Sequence, residues 1–341
     1  MKSLKFLSRL GLFLLSLGLA VSCNSTGMIG NQGSNEPIVM GYSSWPGWWP
    51  WVIAEKENLF EKNGINVDLR WFDNYTSSME GLANGQLDAN CQTLNDTISF
   101  AGDAVNGEVG VLVNDNSKGN DKIIAKKSIQ KITDLKGQDV GVEVGVVDDY
   151  LLSKALEQAG MSRDDVNIVD LETEVAAQAF LSKRVDAVGA FPPFWLQALQ
   201  REGSHELISS AAFPGAIPDL LVTTQTLIDN RPEAVQALVN TWFDIRDFME
   251  KNPEQANEMM AERAGFDPEK YQRFKEGTKI FTIEENLEAF SDGSDMTHLS
   301  YAAQDMAKFL LKIDFISQKP DLDAILNDRF VEAYARQSSN N

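Results

Sequence analysis

Acidic and aromatic side chains that together suit a small ligand follow several short apolar runs of this sequence. Four of the seven tryptophans fall in one stretch, Val39 to Trp51, which reads VMGYSSWPGWWPW. A planar cation stacks on an indole face and donates hydrogen bonds to carboxylate oxygens, so such a set favours binding of a cation. The candidate ligand-binding residues are Ser44, Trp45, Trp48, Asp73, Asp96, Glu143, Asp148 and Trp195.

These residues stand where a predicted strand passes into a predicted helix. The run Ile38 to Met40 predicts a strand, and Pro50 suits the first position of the helical pattern VIAEKENLFEKNG, because its missing N–H has no partner there anyway. In open α/β sheets, ligands bind at the carboxyl ends of strands. We therefore expect the aromatic loop to form one wall of a pocket. The alternative is a tryptophan-rich helix start buried in the core, and both hold if the rings divide between core and ligand.

Each candidate carboxylate has an alternative role. Asp96 and Asp148 either face the ligand or cap the helices that begin beside them. Asp73 either faces the ligand or lies in a solvated turn. Glu143 lies in a valine-rich predicted strand, where a carboxylate is unfavourable unless it is paired, so we expect it in the pocket. For Asp121, a position facing the cleft and a position bracing the hinge both stay open.

The charge of the chain restricts the class of partner. The sequence has 50 acidic and 30 basic residues, a net charge of −20, which argues against nucleic acid or anionic lipid as a partner. The candidate site contains no Lys, Arg or His, although backbone N–H groups at helix starts can still bind an anion. The two cysteines and two histidines show no metal-binding spacing, so we expect neither a metal nor a cofactor.

Short apolar runs that alternate with helical patterns predict an α/β fold with mostly parallel sheets. A strand predicted at 109–113 is followed by the polar segment NDNSKGND, which predicts a crossover into a second lobe. The segment FPGAIPD predicts the return. We expect lobe 1 at 37–116 and 217–341 and lobe 2 at 117–216, with a cleft between them. After Arg231 the pattern is almost entirely helical, with the longest helix at 232–251 and the last at 322–336.

The amino-terminal residues resemble an export signal rather than a folded element. Positive residues precede the apolar run Leu10 to Ala20, which is too short to span a bilayer. The run ends at Ala20-Val21-Ser22-Cys23, which resembles a bacterial lipoprotein signal. We expect a signal peptide at 1–22, lipidation at Cys23 and a flexible tether at 23–36. An ordinary signal peptide with an incidental cysteine is the alternative.

Several stretches give the chain a resemblance to a known family. They include AEKENLFEKNGINVDLRWF, MEGLANGQLDA, ITDLKGQDVGVEVG, FLSKRVDAVGAF and PGAIPDLLVTT. In their order and spacing they resemble the substrate-binding proteins of bacterial ABC importers of the nitrate, sulfonate and taurine type (NitT/TauT, NMT1/THI5-like). The resemblance implies a two-lobed periplasmic-binding-protein fold (type II) with two crossover strands. It also implies a monomer in the periplasm or cell envelope that hands a small solute to a permease and ATPase.

Within that family the chain resembles most closely the guanidine-binding subgroup of urea-carboxylase regions. The matching stretches are GYSSWPGWWPW, RWFDNYTSSME, VNDNSKGND and VGVEVGVVDDYLL. The resemblance implies capture of guanidine, whose guanidinium form is planar and pairs with carboxylates in a fork.

Other functions compete with this one. The same receptor role suits nitrate, a sulfonate or taurine, bicarbonate, urea or a thiamine-pyrimidine precursor. A thiamine-pyrimidine synthase has the same fold, but it needs a His and a Cys-rich stretch that this sequence lacks, and no G-x-S-x-G elbow or Ser/His pair is present, so we expect no enzyme. A ligand-sensing regulatory domain is disfavoured by the signal peptide.

Overall fold

The structure is a computed structural model and describes residues 36–338. Within this range it has eleven strands: β1 Ile38–Ser43, β2 Val67–Phe72, β3 Ala89–Thr93, β4 Val109–Ser117, β5 Lys122–Ala125, β6 Asp139–Val142, β7 Asn167–Asp170, β8 Ala187–Ala190, β9 His205–Ser209, β10 Pro218–Thr223 and β11 Thr278–Ile280. The expected signal peptide, the lipidation at Cys23 and nearly all of the tether lie outside the described residues.

The same range contains fourteen α-helices: α1 Trp51–Lys56, α2 Leu59–Lys62, α3 Tyr75–Ala83, α4 Leu94–Phe100, α5 Val147–Gln158, α6 Thr173–Leu181, α7 Phe194–Ala198, α8 Gln225–Asn230, α9 Pro232–Lys251, α10 Pro253–Ala264, α11 Pro268–Glu276, α12 Ile283–Phe290, α13 Leu299–Lys312 and α14 Arg329–Ser338. None of these helices combines the length and the apolar character needed to cross a bilayer.

The strands form two sheets. The first has the order β11-β4-β10-β3-β1-β2, and the second has the order β7-β6-β8-β5-β9. The second sheet is built from one continuous stretch of chain, which leaves the first sheet after β4 and returns to it at β10. The expected two-lobed α/β fold with two crossings is confirmed.

Strand direction brings the ends of several strands to one edge of each sheet. In the first sheet β1 runs parallel to β2 and β3, whereas β10 runs antiparallel to β3 and β4. In the second sheet β6 runs parallel to β7 and β8. Loops that follow parallel strands therefore emerge side by side, which is where the candidate site lies.

The carboxyl-terminal helices cover the first sheet as the apolar periodicity predicts. Helix α9 spans the predicted residues 232–251 and buries Val235, Leu238, Val239, Trp242 and Ile245 along one face. Helices α9, α10 and α11 each begin with a proline at the first helical position, where no N–H is required.

Four elements differ from the predictions. Strand β4 continues to Ser117 instead of ending at Val113, because β10 and β11 pair with its polar residues on both sides. The predicted helix at 322–336 begins only at Arg329, since residues before it pair with Gly110, whose N–H donates to the Ile325 carbonyl. Strand β11 and helix α12 are additional to the prediction.

Candidate functional site

The four tryptophans of the aromatic loop divide between a pocket and the core. Trp45 and Trp48 line the pocket, and the Trp48 ring lies 5.2 Å from that of Tyr75. Trp49 and Trp51 lie in the core, where Trp51 packs against Trp242 with ring centroids 5.1 Å apart. The loop therefore has both of the roles that its sequence suggested.

The pocket lies where both sheets and both crossings meet. About 250 Å³ between its lining residues, open solvent included, is not filled by protein atoms. Its lining residues are Ser44, Trp45, Trp48, Tyr75, Thr93, Asp121, Val147, Phe191 and Asp219. Among the described residues that line it there is no Lys, Arg or His.

Two aspartates in this lining have oxygen atoms without a hydrogen-bond partner. Asp121 follows the first crossing, and Asp219 is the second residue of β10, after the return crossing. Both side chains are about 1% exposed, and Oδ2 of each finds no donor. An unpaired buried acceptor costs free energy, so these two oxygens are poised to accept hydrogen bonds from a ligand.

A third aspartate, Asp115, lies next to Asp219 on the neighbouring strand. Asp115 lies in β4, directly opposite Asp219 in the antiparallel register. Trp45 Nε1 donates to Asp115 Oδ1 at 2.9 Å, which fixes both the indole and the carboxylate. The nearest loop residue is Gly47, where an added Cβ would lie 1.7 Å from Asp115 Oδ2. A glycine is thus required for the loop to approach this carboxylate.

Asp96 is buried behind the pocket wall and holds a ring in place. Its Oδ2 accepts hydrogen bonds from Tyr75 Oη and Thr93 Oγ1, both at 2.8 Å. Thr93 is the N-cap of α4, so Asp96 is not the cap that one reading of the sequence proposed. Burial raises the pKa of Asp96 to about 6, against the lowering effect of these donors.

Asp148 is likewise buried and does not cap its helix. The N-cap of α5 is Val146, and Asp148 is the second helical residue. Its Oδ2 accepts from the Glu143 N–H at 3.2 Å, whereas its Oδ1 has no partner. Burial, followed by the nearby charge of Glu143, raises the pKa of Asp148. It lies beside the pocket without being one of its lining residues.

Glu143 connects the two lobes. It follows the last residue of β6, and its Oε1 accepts from Thr76 Oγ1 in α3 at 2.6 Å. Its Oε2 accepts from the Thr173 N–H at 3.2 Å. The carboxylate is therefore used by the protein itself, which explains how a charge is tolerated at the end of a valine-rich strand. A second, adjoining pocket is lined by Ser44, Asp73, Tyr75, Thr76, Glu143, Thr173 and Phe191 among others.

The remaining two candidates lie farther from the first pocket. Asp73 is exposed in the turn after β2, and its Oδ1 accepts from Trp71 Nε1 at 2.8 Å. It lines only the adjoining pocket. Trp195 is buried in α7, lines neither pocket, and packs edge-on against Phe274 with Lys122 Nζ 5.0 Å above its ring.

Sequence reasoning missed Asp115 and Asp219 and left Asp121 undecided. Each of the two missed residues is a carboxylate within a strand whose residues are all buried. A carboxylate in a buried strand is the same signal that singled out Glu143. Both positions lay outside the predicted strands, because the predicted strand at 109–113 ends before Asp115 and Asp219 falls in the segment FPGAIPD, interpreted as the return crossing.

The burial of these groups has one electrostatic consequence. Burial, and then the charge of Asp96, raises the pKa of Asp121 to about 7. Burial, and then the charges of Asp115 and Asp121, raises the pKa of Asp219 well above its usual value. Carboxylates that repel one another in a desolvated pocket are stabilised when an opposite charge enters. The arrangement can thus hold a cation and opposes an anion.

Comparison with known proteins agrees with the fold. A binding protein of Brucella abortus is 28% identical over 271 residues, which cover 76% of this chain and 82% of the relative. The periplasmic aliphatic sulphonate-binding protein SsuA of Escherichia coli superposes with a TM-score of 0.70 at 20% identity, over 86% of this chain and 92% of that one. The desulfurization enzyme DSZB has the same fold, with a TM-score of 0.62 at 15% identity over 88% of this chain and 99% of that chain.

The family assignment comes from a match that spans both lobes. The NMT1-like family model matches residues 31–264, which include the aromatic loop, Asp115, Asp121 and Asp219. The chain therefore belongs to the NMT1-like family.

Proposed function

We propose that this protein is the solute-binding component of an ABC importer and that it captures a small planar cation, with guanidinium as the best candidate. One observation carries the choice of a cation. Asp121 and Asp219, each with a buried Oδ2 that has no hydrogen-bond partner, line a pocket walled by Trp45, Trp48, Tyr75 and Phe191.

The chemistry of guanidinium matches each part of this pocket. Its N–H groups lie in one plane and would donate to the free oxygens of Asp121 and Asp219. A hydrogen bond to a charged group contributes roughly 1.5–3 kcal/mol. Its face would stack on Trp45 or Trp48, where a desolvated cation gains about 2 kcal/mol.

A sulfonate, the ligand class named for SsuA, finds a less favourable environment here. Its oxygens would face the buried carboxylates of Asp121 and Asp219, with Asp115 and Asp96 behind them. Repulsion between like charges is strong where water is excluded. The transport role of the relatives is therefore proposed for this chain with a ligand of the opposite charge.

Capture works by closure of the two lobes around the solute. Ligand contacts from both lobes favour the closed state, because they are complete only in that state. We assign residues 37–116 and 217–341 to one lobe and 117–216 to the other. The closed receptor would work in the periplasm, tethered by a lipid on Cys23, and would pass its solute to the permease and ATPase without catalysing a reaction.

Urea is the second candidate. Trp48 Nε1 is buried, borders the pocket and has no acceptor. A ligand with a carbonyl oxygen would accept from it, whereas guanidinium has donors alone. The residues that line the pocket have two unpaired acceptors, Oδ2 of Asp121 and Oδ2 of Asp219, and one unpaired donor, Trp48 Nε1. This balance favours guanidinium over urea.

Calorimetric titration of the purified protein at low salt tests the proposal. Guanidinium chloride is titrated beside urea, nitrate, taurine, arginine and agmatine. We expect one-to-one binding of guanidinium, with the two anions silent and urea weaker. Tight binding of nitrate or taurine, with guanidinium silent, would refute the cation assignment and leave the receptor role alone.

A further inference from the structure

The pocket and its immediate surroundings contain more buried carboxylates than one monovalent cation can neutralise. Asp96, Asp115, Asp121, Asp148 and Asp219 are each about 1% exposed or less. In the described residues none of these five forms an ion pair with a lysine or arginine. Keeping all five ionised in a desolvated site before the ligand enters would be very unfavourable, because buried like charges within a few ångströms repel strongly.

The pair best placed to retain a proton is Asp115 and Asp219. Their Cα atoms are register partners in neighbouring antiparallel strands, where opposed side chains approach each other closely. Oδ2 of each lacks a donor when both are ionised. A proton on Asp219 makes that group a donor to Asp115, so a shared proton removes one charge and adds one hydrogen bond.

The other charged and titratable groups around this pair do not remove the need for a proton. Most are themselves acidic, and Lys122, the one basic group among them, acts on Asp121. The groups whose charges act on the pair are Tyr75 of α3, Cys91 of β3, Asp96 of α4 and Asp121 before β5. Lys122 of β5, Glu143 after β6 and Asp148 of α5 act on the acids beside the pair.

We propose that the cation enters this pocket by exchange for the proton shared between Asp115 and Asp219, so that capture is coupled to proton release. The inference rests on the proposed function. The exchange balances: the protonated receptor and the cation give the cation complex and one proton, which passes to a buffer base. Below the pKa of the pair, affinity for the cation rises with pH by about tenfold per unit for one proton released.

The proton count can be measured directly. The purified protein is titrated with guanidinium chloride at pH 7 in buffers that differ in ionisation enthalpy, and the slope of observed enthalpy against that ionisation enthalpy gives the protons released per ligand bound. We expect the count to be about one proton lower in Asp115→Asn and in Asp219→Asn than in the native protein, because the Asp121 carboxyl still releases part of a proton in all three. Both variants are measured so that the test can still be read if one of them does not fold.

Glu108→Gln is the matched control. Glu108 is also buried, its pKa is raised by burial to about 8, and it accepts from Gln92 Nε2, but it lines neither pocket. The native proton count should persist in this variant. Binding without proton release at every pH from 6 to 8 would overturn the exchange while leaving the proposed function intact. Absence of guanidinium binding would instead remove the proposed function and the exchange with it.

Discussion

Asp121 is the residue that most directly separates the cation model from its rivals. Asp121 lines the pocket, its buried Oδ2 has no hydrogen-bond partner, and the pKa of the group is raised by burial to about 7. The protein therefore holds this carboxylate at a cost to its own folding, as functional sites often do. A ligand that donates hydrogen bonds recovers that cost.

We predict that Asp121→Asn lowers guanidinium affinity by roughly ten- to a hundredfold, the equivalent of about 1.5–3 kcal/mol for a lost charge-assisted hydrogen bond. The amide is nearly isosteric, so thermal stability should be kept or increased. Calorimetry and a melting curve measure the two effects. Asp73→Asn, at the exposed turn, is the control and should bind normally. Unchanged affinity in Asp121→Asn would contradict its role.

Gly47 is the residue at which backbone approach determines the site. A methyl group there would overlap Asp115 Oδ2. The whole carboxylate would then have to move, which would disturb the hydrogen bond from Trp45 Nε1 to Asp115 Oδ1. We predict that Gly47→Ala weakens guanidinium binding at least tenfold and destabilises the protein by about 1–3 kcal/mol, as expected for overpacking. Denaturant unfolding and tryptophan near-UV dichroism would report the change.

Gly102→Ala provides the comparison for this variant. An added Cβ at Gly102 meets no atom within 4 Å, and its φ does not require glycine. Its binding and stability should equal those of the native protein. If Gly47→Ala also matched the native protein in guanidinium affinity and stability, the close packing of the loop on Asp115 would contribute to neither.

At the scale of elements, α3 and α4 of the first lobe contact the loop after β6 in the second. Thr76 Oγ1 donates to Glu143 Oε1, and Asn95 Nδ2 donates to the Gly145 carbonyl at 3.0 Å. Asn74 Nδ2 also donates to Glu172 Oε2 at 3.1 Å. If the lobes close around the ligand as proposed, these bonds form only in the closed state and favour it over the open one.

We predict that Thr76→Val shifts this balance toward the open state. Removing the hydroxyl leaves Glu143 Oε1 without its donor at the lobe interface, which costs about 1.5–3 kcal/mol. Ligand affinity should fall through faster dissociation, and small-angle scattering should show a larger radius of gyration at subsaturating ligand. Thr76→Ser keeps the hydroxyl and should restore native behaviour. Equal dissociation rates in all three proteins would exclude a closing role for this bond.

The whole molecule carries a pH dependence that follows from its buried acids. Burial raises the pKa of Asp96 to about 6 and that of Asp121 to about 7. The native state then binds more protons than the unfolded chain between about pH 4 and pH 7, so the free energy of unfolding falls as pH rises through this range.

We predict a lower melting temperature for the ligand-free protein at pH 8 than at pH 5.5. Millimolar guanidinium should reduce the difference between the two melting temperatures, because it stabilises the ionised carboxylates and binds the native state alone. Asp121→Asn should reduce the same difference in the absence of ligand. Differential scanning calorimetry provides the measurement, and a higher melting temperature at pH 8 would contradict the account of the buried acids.

Local patterns in the sequence determined the elements and the character of the pocket wall. Helix α9 is specified by the proline at its start and by an apolar stripe at helical spacing, both of which act within a few residues. The loop of Gly, Pro and Trp after β1 predicted an aromatic wall for the same reason. The alternation of strands and helices, broken by two crossings, was sufficient for the two-lobed fold.

The tertiary structure alone decided which acids work together. Asp115 and Asp219 are far apart in the chain and meet only because β4 and β10 pair in antiparallel register. Trp45 and Trp49 lie in the same loop and each precedes a proline, yet one borders the pocket and the other enters the core. Glu143 turned out to bond both lobes. Such roles depend on contacts between elements that are far apart in the sequence, and neither residue type nor local spacing predicts those contacts.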